Sequence, residues 1–107
     1  MKGIDGLYKN NNPKSDVKYV VDEAKFGSSK LGKTKDGPQM SDDWLNGTKT
    51  GNDRILDAVG GDEKVARDIK KALERGQVDR VLTKVDSKGV TTTYRLNSKG
   101  EVVGTWP

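Results

Sequence analysis

The chain has 107 residues, with 20 Lys and Arg against 16 Asp and Glu, and it contains neither Cys nor His. This length fits one domain, and a hydrophobic content of 31% predicts a small core. The missing residue types exclude disulfides, thiolate nucleophiles and any catalytic or zinc site that depends on Cys or His. Catalysis would have to use carboxylates, Lys, hydroxyl groups or a metal ion, and we expect neither a transmembrane segment nor a secretory leader.

The N-terminal quarter of the chain predicts a β-hairpin. Residues 3–9 have the pattern of a short strand, residues 10–16 form a turn cluster, and residues 17–26 are rich in β-branched and aromatic side chains. Residues 27–40 contain three Gly and one Pro, which predicts a loop over this whole segment. Loops of that length without secondary structure are usually functional or mobile.

Three helices are predicted after the loop. The first begins at Ser41 as N-cap and ends at Gly47, and the second runs over residues 53–59 with Asn52 as its cap. The third covers residues 62–75, where apolar side chains recur with the helical period. These apolar side chains are Val65, Ala66, Ile69, Ala72 and Leu73.

The C-terminal third predicts a three-stranded β-meander. Its strands cover residues 78–85, 90–97 and 101–106, and the two connectors, DSKG and NSKG, are near copies of one turn. Trp44, Tyr94 and Trp106 are expected to be packing residues. The fold class is therefore α+β (mixed α/β), with an N-terminal hairpin, two or three helices and a C-terminal meander in a single domain over residues 1–107.

Three charged residues of the predicted hairpin are candidate catalytic residues. Glu23 and Lys25 lie two positions apart on the second strand, so their side chains point to the same face. Asp5 lies on the partner strand between Gly3 and Gly6, which would let a ligand approach the backbone. Two carboxylates that hold a divalent cation, together with a Lys, are sufficient for phosphodiester hydrolysis without His.

The same residues have simpler interpretations. A Glu-x-Lys pair on a strand is often a solvated ion pair worth less than ~1 kcal/mol. The residues after it accumulate Lys30, Lys33 and Lys35 with no acid before Asp36, which suits either a phosphate backbone or a solvated loop. Composition and spacing leave both alternatives open.

Two segments of the chain resemble a known family. GIDGLY at residues 3–8 and YVVDEAKFGSSKLG at residues 19–32 resemble PD-(D/E)xK, or restriction-endonuclease-like, nuclease domains. With TKDGPQMSDDW at residues 34–44, the chain is similar to C-terminal toxin domains of bacterial polymorphic toxins, such as contact-dependent-inhibition and Rhs-type proteins. The resemblance covers residues 3–45 and implies a restriction-endonuclease-like core.

The resemblance also implies a set of site residues. Asp5 and Glu23 match the metal-binding acids, Lys25 matches the motif lysine, and Gln39 matches a glutamine beside the catalytic site. The implied cofactor is a divalent cation, Mg²⁺ or Mn²⁺, with Zn²⁺ as an alternative. The expected nucleic-acid-binding residues are Ser28, Lys30, Lys33 and Lys35.

The function implied is that of a nuclease toxin in interbacterial competition, with DNA as the favoured substrate and tRNA as the other. A cognate immunity protein, acidic where it meets the Lys-rich loop, is the implied partner. The chain would be the C-terminal part of a larger secreted or cell-surface protein and would act in the cytoplasm of a target cell. The alternative is a non-catalytic protein-interaction or nucleic-acid-binding module that uses its sheet edges and the Lys-rich loop.

Overall fold

The computed structural model describes residues 4–106, in which a five-stranded sheet, a two-stranded sheet and three helices form. The strands are β1 Gly6–Lys9, β2 Tyr19–Phe26, β3 Lys33–Thr34, β4 Gly37–Pro38, β5 Val78–Val85, β6 Thr91–Leu96 and β7 Val102–Thr105. The helices are α1 Asp42–Asn46, α2 Arg54–Ala58 and α3 Glu63–Glu74. Gly3, where the first strand was predicted to begin, lies outside the described residues.

The large sheet has the order β1-β2-β5-β6-β7. Strands β1 and β2 form the predicted antiparallel hairpin, and β5, β6 and β7 form the predicted antiparallel meander. The two parts join through β2 and β5, which pair in parallel. This pairing requires a crossover connection, and the β3–β4 hairpin and the three helices form it. The mixed α+β class predicted from the sequence is confirmed.

The core lies between the helices and one face of the large sheet. Because strand side chains alternate, Val21, Val78, Leu82 and Leu96 all point to that face and join the buried cluster. The helices contribute Trp44, Leu45, Ile55 and Ile69, and the segment before α1 contributes Met40. No helix in residues 4–106 is long and apolar enough to cross a membrane.

The helix ends correct two predictions. Ser41 caps α1 and Gly47 ends it in the left-handed conformation, as predicted. The cap of α2, however, is Asp53 rather than Asn52, because the Asp53 carboxylate accepts the Leu56 N–H at 3.0 Å. Helix α3 runs from Glu63 to Glu74, and Val65, which was predicted for its buried face, is 37% exposed.

The prediction of an unstructured loop over residues 27–40 was wrong in its second half. Strands β3 and β4 form a small hairpin there, and Asp36 at its turn is buried. The Asp36 carboxylate accepts hydrogen bonds from the Thr50 hydroxyl at 2.6 Å, from the Lys49 and Thr50 N–H groups at 2.8 Å, and from Arg54 at 2.5 Å. These contacts hold the pKa of Asp36 well below its usual range, and the hydrogen bond from the Thr50 hydroxyl has the largest effect. They fasten the hairpin to the α1–α2 connection.

Candidate active site

The hairpin brings the three charged residues together. Strand β2 places Glu23 and Lys25 on the face that the helices cover, and the Lys25 Nζ lies 3.4 Å from the Glu23 Oε2. Asp5 lies immediately before β1, where its Oδ2 accepts the N–H of Ala24 at 2.9 Å. That bond fixes the Asp5 carboxylate beside the short stretch of β2 that separates Glu23 from Lys25.

The position of Asp5 also follows from the packing of its neighbours. Ile4 and Leu7 pack against the core, which anchors the start of β1 on both sides of Asp5. Asp5 itself is exposed, whereas the Glu23 residue is only 2% exposed. The carboxylate pair therefore lies where the buried sheet face opens to solvent.

Gln39 is the fourth member of the site. Its Nε2 donates to the Glu23 Oε2 at 3.2 Å, and its Oε1 accepts the Gly32 N–H at 2.8 Å. The Gln39 N–H donates in turn to the Gly32 carbonyl at 2.9 Å. This side chain therefore connects the segment after β2 to the buried carboxylate.

The backbone around Gln39 is held by two further contacts. Met40 has a φ of 71°, a left-handed conformation that is costly for a bulky residue, and the buried Arg80 donates to its carbonyl at 2.9 Å. On the other side, the turn between β6 and β7 packs so closely that a Cβ on Gly100 would lie 2.5 Å from the Gln39 carbonyl oxygen. Gln39 is thus positioned by the meander as well as by its own segment.

The electrostatics of Glu23 are unusual. Burial, followed by the hydrogen bonding and negative charge of Asp5, raises the pKa of Glu23 to about 7, against the opposing effect of Lys25. Among the described residues, the Glu23 Oε1 has no hydrogen-bond partner. While Glu23 keeps its proton it can donate to Asp5, but when both carboxylates are ionised neither can donate to the other, and the Glu23 Oε1 is left without a partner. A buried acceptor in that state costs about 1–3 kcal/mol.

This donor set fits a divalent cation. Within residues 4–106 no group of three or more Asp and Glu side chains is arranged to hold a metal ion, so only Asp5 and Glu23 would contribute carboxylates. Mg²⁺ commonly binds through one or two carboxylates and completes its shell with water and substrate phosphate. A cation at this point would give the Glu23 Oε1 a partner and would lower the raised pKa of Glu23.

The predicted nucleic-acid-binding residues do not converge in the same way. Ser28, Lys30, Lys33 and Lys35 are all exposed. Lys30, Lys33 and Lys35 line three different cavities, of about 390, 650 and 410 Å³ respectively. They therefore do not line a common cavity.

Sequence reasoning missed Lys84 and Gly100. Lys84 is the register partner of Lys25 in the parallel β2–β5 pair, and so it faces the same side of the sheet. The alternation of Val78, Arg80, Leu82 and Lys84 along the predicted strand could have assigned Lys84 to the inner face. No local signal indicates that Gly100 meets Gln39.

Comparison of the chain with protein-family models, with curated proteins and with solved structures found no match.

Proposed function

We propose that this protein is a divalent-metal-dependent nuclease that hydrolyses phosphodiester bonds. The observation that carries the proposal is the convergence of Asp5, Glu23 and Lys25, with the buried Oε1 of Glu23 lacking a partner in the described residues. An ordinary surface ion pair would be solvated, whereas this Glu is 2% exposed and has a pKa raised to about 7. Perturbed groups of this kind are concentrated at functional sites.

Each residue has a distinct role in this proposal. Asp5 and Glu23 would hold the cation, and the chemistry that it would supply there is positive charge beside the phosphoryl oxygens and activation of a water molecule. Lys25 places an ammonium group beside the same carboxylate, where it stabilises the negative charge that develops on the phosphoryl group. Gln39 keeps the Glu23 carboxylate in its orientation through the 3.2 Å bond to Oε2.

We further propose that the sheet is a restriction-endonuclease-like core. In support, Glu23 and Lys25 lie on the second strand of an antiparallel hairpin, Asp5 lies immediately before the first strand, and a helical crossover returns the chain to a strand parallel to β2. The sequence resemblance extends the proposal to a toxin of interbacterial competition, delivered by a larger secreted or cell-surface protein and countered by an acidic immunity protein. DNA is the favoured substrate in this scheme, and tRNA is the second.

The direct test is cleavage of plasmid DNA and of tRNA by the purified protein with Mg²⁺ or Mn²⁺. We expect cleavage of one of these substrates, no cleavage with a chelator, and a loss of about 100-fold or more in Asp5→Asn and Lys25→Gln. Lys71→Gln, on the exposed side of α3, is the matched control and should retain the parent rate. Absence of cleavage of both substrates would overturn the proposal and favour the interaction module, for which β7 offers an edge strand exposed along its length.

A further inference from the structure

A groove of about 390 Å³ lies beside the candidate active site, between the segment after β2 and the strands β5 and β6. We call it the Tyr94 groove, and its principal lining residues are Lys30, Leu31, Leu82, Lys84 and Tyr94. Its volume is in the range of sites for small ligands.

Strand register places this groove next to the carboxylates. Leu82 pairs with Glu23, and Tyr94 pairs with Leu82 on the following strand. Paired residues share a face, and neighbouring strands lie about 4.8 Å apart. The groove therefore begins about one strand away from Glu23, on the same side of the sheet.

The charge of the groove favours an anionic ligand. Lys84 is paired in register with Lys25, so two ammonium groups on neighbouring strands face the same side. Glu23 compensates Lys25, but no ion pair between described residues involves Lys84 or Lys30. None of the described residues that line the groove is acidic. Lys84 and Lys30 are therefore the uncompensated cations of the groove, and a phosphate bound between them would neutralise both.

The larger cavity next to the Tyr94 groove differs from it in the charge of its lining residues. That cavity, of about 650 Å³, is lined by Asp42, Asp43 and Glu101 as well as by Lys33 and Lys99. Asp42 is paired with Arg80 at 2.7 Å, and Asp43 and Glu101 balance the two Lys, so this cavity lacks the excess of positive charge that the Tyr94 groove has.

Tyr94 adds an aromatic surface to the cationic one. It is half-buried and packs against the core, so the ring is fixed in place while part of it faces the groove. A fixed aromatic ring among Lys side chains is the combination that binds unpaired nucleotides, because the base stacks on the ring and the phosphate meets the cations. In a duplex the faces of the bases are already stacked on one another, so such a ring has nothing to bind.

We propose that the Tyr94 groove binds an unpaired nucleotide of the substrate, with its base on Tyr94 and its phosphate between Lys84 and Lys30. The nuclease would accordingly act on single-stranded DNA or RNA, or on unpaired positions within a folded nucleic acid. The choice of nucleic acid over another anion rests on the proposed function.

The test measures binding separately from cleavage. Fluorescence anisotropy in the presence of a chelator gives the affinity of the full chain for a labelled single-stranded DNA, for an RNA of the same sequence and for the DNA duplex. We expect one or both single strands to bind more tightly than the duplex. The DNA and RNA arms identify which sugar the groove accepts.

Two pairs of variants locate the binding. Tyr94→Leu should weaken single-strand binding about tenfold or more, whereas Tyr8→Leu, at an exposed tyrosine on the opposite sheet face, should leave it unchanged. Tyr94→Phe keeps the ring and should bind like the parent, which separates stacking from any loss of folding. Lys84→Gln should reduce the slope of log affinity against log salt by about 0.7, while Lys71→Gln should not.

The outcomes separate the groove from the nuclease. If Tyr94→Leu and Tyr8→Leu bind alike, or if duplex binds as tightly as single strand, the groove proposal is overturned even when metal-dependent cleavage is present. If binding depends on Tyr94 and Lys84 but the parent cleaves nothing with Mg²⁺ or Mn²⁺, the groove proposal stands and the nuclease proposal fails.

Discussion

The side-chain amide of Gln39 donates to the Glu23 carboxylate at 3.2 Å, although 16 residues separate the two in sequence. The other end of the same amide accepts the Gly32 N–H at 2.8 Å. Gln39 and Lys25 both contact the Oε2 of Glu23, which leaves the Oε1 as the oxygen without a partner in the described part of the chain. This arrangement orients the carboxylate and determines which of its oxygens is available to a cation.

Gln39→Ala should therefore lower cleavage by about 10- to 100-fold without abolishing it, as is common for groups that orient a metal ligand. It should also increase hydrogen exchange at the Gly32 amide, which loses its acceptor. Gln77→Ala, at a half-buried Gln far along the chain, is the control. Unchanged exchange at Gly32 together with an unchanged rate would contradict the positioning role.

The raised pKa of Glu23 predicts how stability depends on pH. Without metal, the folded protein retains a proton on Glu23 up to about pH 7, whereas the unfolded chain loses it near the ordinary value of 4.5. The stabilising contribution is thus complete below pH 4.5 and is lost as pH rises through 7. The free energy of unfolding should fall by about 2 kcal/mol between pH 5 and pH 8 from this group alone.

Denaturant unfolding at a series of pH values measures this effect. Glu23→Gln should flatten the profile and be more stable than the parent at pH 8, because a neutral amide replaces the buried charge. Glu74→Gln removes an exposed carboxylate from α3 and should reproduce the parent profile. Parallel profiles for the parent and Glu23→Gln would show that Glu23 titrates normally.

Metal binding should compensate the same penalty. Mn²⁺ at millimolar concentration should raise the Tm of the parent protein, since a ligand that binds only the folded state stabilises it. The increase should grow from pH 5.5 to pH 8, because Glu23 must lose its proton before it can bind a cation. Thermal unfolding with and without Mn²⁺ is the measurement.

Asp5→Asn should remove this metal-dependent increase in Tm. Asp22→Asn is its control, because Asp22 faces the opposite side of β2 and accepts a hydrogen bond from the Thr83 hydroxyl at 2.9 Å. That variant should lower the baseline Tm and leave the increase with Mn²⁺ intact. Equal metal responses in both variants would exclude Asp5 as a ligand.

The two similar turns of the meander offer a matched pair. Gly89 and Gly100 have φ values of 81° and 80°, so Ala strains both backbones to a similar extent. A Cβ at Gly89 meets nothing within 4 Å, whereas one at Gly100 would lie 2.5 Å from the Gln39 carbonyl oxygen. Gly89→Ala should cost about 1 kcal/mol and leave cleavage unchanged, and Gly100→Ala should cost more and lower cleavage by displacing Gln39. Equal losses of stability and equal rates would contradict the contact.

The sequence predicted the features that depend on short-range patterns. The alternation that puts Glu23 and Lys25 on one face, the Ser41 cap and the repeated turns are local, and the structure has all three. The small β3–β4 hairpin was missed because Asp36 is held by Thr50 and Arg54, which are 14 and 18 residues away. The residues around Gly32 and Gly37 are typical of turns and loops, and their composition does not indicate that Asp36 binds residues so far along the chain.

Some residues of the site could likewise be predicted from local patterns, and others could not. The placement of Asp5 beside Glu23 follows from pairing two adjacent strands, whereas Lys84 and Tyr94 depend on the register of a parallel pair formed across three helices. Gln39 was predicted only from the family resemblance, and in the structure its side chain donates a hydrogen bond to Glu23. The register between β2 and β5 could not be predicted from the sequence, because the periodicity of a strand indicates which face a side chain occupies but not which residue of a distant strand it pairs with.

The most direct measurement is the rate of phosphodiester cleavage with Mn²⁺ for the parent, Glu23→Gln and Glu74→Gln, on whichever of plasmid DNA and tRNA the parent cleaves. We expect Glu23→Gln to fold, to be at least as stable as the parent at pH 8 and to cleave at least about 100-fold more slowly, while Glu74→Gln matches the parent. A folded Glu23→Gln that cleaves at the parent rate would contradict the proposed role of Glu23 as a metal ligand.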